Sequence, residues 1–313
     1  MNTSSRHAVA ADHVFDGMVV HRHAAVVIED GHVAGIVPRP EVPAALTVRT
    51  LPDGAWLAPG FIDLQVNGGG DVLFNDAPTP ASITAIAAAH RKFGTTGILP
   101  TFISDTPDKT SAAIAAVAML ADRDPSVLGI HLEGPLLSPE KPGVHDPRAL
   151  RAPTAEDLQT LTRPRKGAML VTLAPERVPS GFIAQLTAAG IRVSLGHSMA
   201  TYDEARAAMA EGATGVTHLF NAMRPLASRE GGLIAAALES PDAWFGMIVD
   251  GIHVDPAMLR LALRGAAHPM LVTDAMPPWG ELDRASLSPA RRSRCGTAAA
   301  CGETARLRAP CWT

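Results

Sequence analysis

The chain has 313 residues, 47% apolar and 19% charged, with a net charge of −4. That length exceeds the about 250 residues of a (β/α)8 barrel and leaves room for a small appendage, while the apolar share suits a globule with a large core. There is no basic block, no apolar run long enough to span a bilayer and no secretory h-region in MNTSSRHAVAADHVF, so the expectation is a cytoplasmic chain with neither a nucleic-acid nor a membrane partner.

Residues 7–56 are short apolar stretches broken by turn signals. In AAVVIEDGHVAGIVP, Asp30-Gly31 separates two strand-like runs, which is a hairpin signature. Residues 1–56 therefore read as a small N-terminal β domain. From Leu57 the pattern alternates between strands and helices. The strands are the apolar runs 61-FIDLQV, 97-GILPTFI, 127-VLGIHLE, 168-AMLVTLA, 191-IRVSLGH, 214-TGVTHLF, 244-WFGMIVD and 269-PMLVTDA, and alanine-rich helical segments follow the first seven. Thr79-Pro80, Thr106-Pro107 and Asp255-Pro256 pair a capping oxygen with a proline at the first helical position, where its missing N–H costs nothing. Thr201 and Glu204 have capping-box spacing. Eight strands with seven helices predict a TIM-like (β/α)8 barrel over 57–278, lacking helix 8. An open doubly wound sheet would gather its polar residues at one switch point, and here they fall at several strand ends.

Barrel strand ends converge on one mouth. They carry Gln65, Asn67, Glu133, His197, His218, Asp250, His253 and Asp274. A glutamate and two histidines from three strands can supply three ligands to a divalent metal, leaving a position for water. An aspartate on another strand is then placed to take that water's proton. Each residue taken alone has a structural explanation, but a carboxylate inside an apolar run such as Glu133 needs a partner or a metal.

These runs also carry a resemblance. PGFIDLQVNGGG (59–70), HLEGP (131–135), KPGVHDP (141–147), SLGHS (194–198), THLFNAM (217–223), DGIHVD (250–255) and LVTDAMPP (271–278) resemble, in order, the N-acetylglucosamine-6-phosphate deacetylase family of the amidohydrolase superfamily. The resemblance covers about residues 7–278. It implies hydrolysis of N-acetyl-D-glucosamine 6-phosphate to D-glucosamine 6-phosphate and acetate. It implies Glu133, His197 and His218 as metal ligands, Asp274 as catalytic acid/base, His145 and His253 as substrate contacts, and Asn221, Ala222 and Arg229 around the sugar phosphate. It also implies a homo-oligomer, a dimer in the family. An arginine beside a turn suits phosphate on its own account, through its planar donor fork. Where many amidohydrolases carry His-x-His on the first strand, this chain has Gln65-Val66-Asn67, and no lysine lies at a barrel strand end. Amides are poor zinc ligands, so one divalent ion, zinc, is expected.

After Pro278 the composition breaks. Residues 279–313 hold all three cysteines (Cys295, Cys301 and Cys311) and a cluster of arginines, with no apolar periodicity. The resemblance implies an eighth helix and strands that return to the β domain, and this tail reads as neither. Codons for its end, read one base over, permit RRDGTLAGALLDM, which resembles the family's DGTLAGS-type segment. The expectation is an out-of-frame tail from a one-base frameshift near Trp279, leaving a poorly soluble chain with little or no deacetylase activity.

Overall fold

The computed structural model describes residues 6–277. The expected out-of-frame tail at 279–313 and the missing eighth helix lie outside the described residues. Residues up to Phe61 form one compact unit and those from Ile62 a second.

The first unit is a five-stranded sheet. β1 (Arg6–Phe15), β2 (Val20–Glu29), β3 (His32–Pro38) and β4 (Thr47–Thr50) run in the order β3-β2-β1-β4, and β5 (Trp56–Leu57) also pairs with β1. β2 and β3 are antiparallel with Glu29 opposite His32. The two residues between them, Asp30 and Gly31, have φ of 49° and 80°. Positive φ at both central positions is what a tight hairpin turn demands. Small side chains make the core: Ala8, Ala10, Ala25 and Val27 on one side, and Ala11, Val14 and Ala24 on the other.

The second unit alternates strands and helices. β6 (Phe61–Val66) leads through a short ribbon, β7 (Gly68–Gly69) and β8 (Val72–Leu73), to α1 (Pro80–Arg91). Then come β9 (Thr95–Ile103), α2 (Pro107–Leu120), β10 (Gly129–Glu133), α3 (Ala155–Thr162), β11 (Ala168–Leu173), α4 (Phe182–Ala188), β12 (Arg192–Leu195), α5 (Tyr202–Ala210), β13 (Gly215–Val216), α6 (Gly232–Glu239), β14 (Trp244–Met247), α7 (Pro256–Ala262) and β15 (His268–Leu271). The eight-stranded sheet runs in order from β6 and β9 through to β15. Its edges meet: Val66 bridges Ala275 in parallel, and Asn67 and Gly68 donate their N–H groups to the Ala275 carbonyl at 3.0 and 2.8 Å. The sheet is thus a nearly closed (β/α)8 barrel.

The expected caps form. Thr79, Thr106 and Asp255 accept from the backbone N–H of Ser82, Lys109 and Ala257, and Thr201 with Glu204 makes a reciprocal capping box. The expected strands all occur, but several end sooner than their apolar runs, the three that lead to His197, His218 and Asp274 among them. β12 stops at Leu195, β13 at Val216 and β15 at Leu271, because His197, His218 and Asp274 have φ of 47°, 32° and 49°. Left-handed backbone breaks the pleat and turns these three side chains away from strand alternation. Among the described residues, no helix is long and apolar enough to cross a membrane.

Candidate metal centre

Glu133 closes β10, and it is buried at 3% exposure. Its Oε1 lies 3.2 Å from His197 Nε2 and 3.1 Å from His218 Nε2, and the two imidazole nitrogens are 3.0 Å apart. Of the described residues, these three form the one cluster whose ligand atoms fall together. Burial pushes the Glu133 carboxyl up, but hydrogen bonds and charge from His197 and His218 outweigh it and hold the group well below the usual carboxylate range. His218 is raised: burial lowers it, and the hydrogen bond and charge of Glu133 more than reverse this.

The proton positions bear on what the cluster can hold. His197 Nδ1 lies 2.8 Å from the Lys141 carbonyl, which can only accept, so Nδ1 carries a proton and Nε2 is the nitrogen turned toward the cluster. That outward hydrogen bond is the usual way a metal-binding imidazole is oriented. A glycine at 143 lets the loop reach this ring: a Cβ there would sit 2.9 Å from His197 Cε1, and its φ is +57°. The mutual spacings of 3.0–3.2 Å approach the edge of about 3.3 Å set by a tetrahedron with zinc-like bonds of about 2.0–2.1 Å. The donor set therefore fits a divalent cation. Gln65 fills the next position as a hydrogen-bond donor, its amide nitrogen 3.1 Å from Glu133 Oε1.

Two further groups face this cluster. Asp274, beyond β15, receives a 2.6 Å hydrogen bond from Asn67 Nδ2, while its backbone N–H donates to the Gln65 carbonyl at 2.9 Å. Burial and the negative charge of Glu133 raise its pKa. His145 packs edge-on to His197 with ring centroids 4.7 Å apart, and its Nε2 is 3.9 Å from Glu133 Oε2. Burial pulls it down to about 3, so it is neutral. Its Nδ1 accepts from the Ser104 backbone N–H at 3.3 Å, which places the ring proton on Nε2. That Nε2 is buried with no hydrogen-bond partner. An orphaned donor beside the cluster is a ready contact for a substrate oxygen.

Of the residues expected around the sugar phosphate, Asn221 meets the cluster through the His218 backbone. Asn221 is half-buried and donates through its side chain to the His218 carbonyl at 3.2 Å. Ala222, at φ 49°, accepts from Ser198 N. Arg229 is exposed. His253 is exposed and paired with Asp250 at 2.6 Å.

Sequence reasoning overlooked several residues that build the site. Asp63, two residues before Gln65, accepts from Thr273 Oγ1 at 2.6 Å and from Thr273 N, tying β6 to the segment that carries Asp274. Ser104 holds His145. His131, on the same face of β10 as Glu133, is buried and pulled down to about 4 by burial. Alternation along the strand was the available signal for His131; nothing local marked Ser104.

Residues 56–284 match the amidohydrolase family. An N-acetylgalactosamine-6-phosphate deacetylase of Shewanella sp. (strain ANA-3) is 43% identical over 265 residues, 82% of this chain and 66% of that protein. An N-acetylglucosamine-6-phosphate deacetylase of Haemophilus influenzae is 38% identical over 244 residues, 77% of this chain and 64% of that protein. The chain thus spans slightly less than two thirds of the length of these curated relatives. The solved structure of N-acetylglucosamine-6-phosphate deacetylase from Pasteurella multocida superposes with a TM-score of 0.83 at 36% identity, covering 87% of this chain and 72% of that one.

Proposed function

The chain belongs to the amidohydrolase family, and from that premise we propose that it is built to hydrolyse the acetamide of N-acetyl-D-glucosamine 6-phosphate, giving D-glucosamine 6-phosphate and acetate. The observation that carries this reading is the convergence of Glu133 Oε1, His197 Nε2 and His218 Nε2 within 3.2 Å, with Asp274 and a neutral His145 facing them.

Glu133, His197 and His218 would hold one divalent ion, zinc by the nitrogen-rich donor set. When bound, such an ion supplies Lewis acidity that polarises a carbonyl and acidifies water. Asp274 takes a proton from the attacking water as the new C–O bond forms. It returns that proton to the nitrogen as the C–N bond breaks, so the amine leaves neutral and the acyl group departs as acetic acid, which becomes acetate by giving the remaining water proton to solvent or to the amine. A raised carboxyl pKa suits both halves of this exchange, because it narrows the gap to the groups it serves. His145 Nε2–H donates to the oxygen that gains negative charge in the tetrahedral state. Asn67 orients the Asp274 carboxyl. Asn221, Ala222, Arg229 and His253 would hold the phosphorylated sugar, with Arg229 exposed and available to an anion.

A second reading keeps the chemistry and changes the sugar. The Shewanella relative at 43% identity acts on N-acetylgalactosamine 6-phosphate, the C4 epimer. Amine release from both epimers by zinc-loaded protein separates the two readings. The assay is run on the 313-residue chain and on a version shifted by one base near codon 279. Failure of both to release amine, though folded and metal-loaded, would overturn the deacetylase reading. Turnover only after the shift would support the out-of-frame tail.

A further inference from the structure

Beneath the metal cluster the barrel interior is polar where an apolar filling would suffice. Thr101, His131, Thr172, Thr217 and Ser194 are all buried. They form one continuous chain: Thr101 Oγ1 to His131 Nδ1 at 3.3 Å, His131 Nε2 to Thr172 Oγ1 at 2.7 Å, Thr172 Oγ1 to Thr217 Oγ1 at 2.7 Å, and Thr217 Oγ1 to Ser194 Oγ at 2.6 Å. Val66 N extends it to β6 by donating to Thr101 Oγ1 at 2.8 Å. None of the five is left with an unpaired buried atom. An imidazole with one donor and one acceptor nitrogen can sit between two hydroxyls and leave both satisfied.

The members are not scattered. His131 is two residues before Glu133, Ser194 is three before His197, and Thr217 immediately precedes His218. Every strand that leads to a ligand therefore contributes one member. Two of the strands that carry no ligand, β9 and β11, flank β10 and contribute Thr101 and Thr172 as joints. The chain crosses β9 to β13 without interruption. The two contacts at Thr172 are 2.7 Å and the next, between Thr217 and Ser194, is 2.6 Å; these are well-formed hydrogen bonds in a buried network, so small displacements of these strands are resisted.

We propose that His131 is a positioning residue, and that the Thr101–His131–Thr172–Thr217–Ser194 belt sets the spacing of the strands that present Glu133, His197 and His218 to the metal. The belt touches neither substrate nor metal. It fixes where three ligand atoms meet, and it rests on the metal-centre reading above.

Thr172→Val breaks the belt at its midpoint with almost no change in shape and alters no ligand. His131→Asn breaks it at the imidazole. Both are tested in the 313-residue chain with Co2+, read by its visible d–d bands and by chelator competition. The expected result is a roughly 10- to 100-fold loss of Co2+ affinity, the range seen when groups supporting metal ligands are removed, together with altered bands. Thr172→Ser, which keeps the hydroxyl, should restore both. A purely structural role would lower the melting temperature and leave affinity and bands in place. If His131→Asn does not fold, Thr172→Val decides. Parent-like affinity and bands in folded Thr172→Val would overturn the belt and leave the metal centre standing. A parent chain that binds no Co2+ would overturn the metal centre and the belt together.

Discussion

Asp63 closes the barrel with a buried carboxylate, and its pH behaviour can be worked from the structure. It is 3% exposed and accepts from Thr273 Oγ1, Thr273 N and Gln65 N. Burial is the dominant influence and pushes its pKa from 3.8 up to about 6, with the Thr273 and Gln65 hydrogen bonds pulling the other way. The folded chain therefore keeps this proton to higher pH than the unfolded chain. The Asp63 contribution to stability is fully present below pH 3.8 and is lost as pH rises through about 6. Integrating between those values gives a loss of roughly 1–2 kcal/mol by pH 5 and about 3 kcal/mol by pH 8. Asp63→Asn cannot ionise, so the stability of the parent relative to the variant should fall by roughly 1–2 kcal/mol between pH 5 and pH 8. Urea unfolding of both proteins at the two pH values measures this. Other titrating groups are common to both and cancel in the difference. A parent-minus-variant difference that stays constant, or that grows with pH, would show that Asp63 ionises like an exposed carboxylate and refute the argument from burial.

Elemental analysis of the purified chain should find about one divalent ion per molecule, lost in His197→Ala and in His218→Ala; two tightly held ions would place ligands elsewhere. Asp274→Asn in an active form should keep the metal and lose most of kcat with little change in KM, since an amide cannot carry the proton; near-normal kcat would remove Asp274 from the mechanism. Arg229→Ala should weaken turnover of the phosphorylated sugar and leave the unphosphorylated one nearly unchanged, as a guanidinium paired with phosphate requires. Equal losses on the two sugars would make the arginine structural.

The strands were legible because parallel barrel strands are buried on both faces and read as unbroken apolar runs, as 168-AMLVTLA does. The helix starts were legible because a cap followed by proline is a local device, complete within three residues. Glu133 stood out as a carboxylate in an apolar run. What could not be read depended on register. That Asn67 reaches Asp274, 207 residues away, or that Asp63 meets Thr273, follows from which residue of β6 lies beside which residue of the last segment. Thr101, Thr172 and Ser194 look like ordinary strand threonines and serine, and gain meaning only through neighbours on other strands. The two-residue ribbon β7–β8 and the parallel addition of β4 and β5 to β1 carry no local signature either.

Positive φ at His197, His218 and Asp274 bears on the energetics of the site. Left-handed backbone at a residue with a side chain costs about 1–3 kcal/mol, so three such residues cost about 3–9 kcal/mol against a total stability of about 5–15 kcal/mol. Hydrogen bonds hold each in place. The His197 carbonyl accepts from Ser138 N at 2.9 Å, the His218 carbonyl accepts from Asn221 N at 2.9 Å, and Asp274 N donates to the Gln65 carbonyl at 2.9 Å. An extended strand would send alternate side chains to opposite faces, and three separate strands would have to agree in register for their ends to meet at one point. A left-handed residue at each end relaxes that requirement, because the turn itself aims the side chain. Convergence of the site is thus achieved by local strain rather than by alignment of whole strands, and the strain must be offset elsewhere. The apolar core supplies part of the offset. A cation bound a thousand times above its dissociation constant would contribute about 4 kcal/mol more, comparable to the strain itself, so the metal that these residues would bind also stabilises the backbone conformation that binds it.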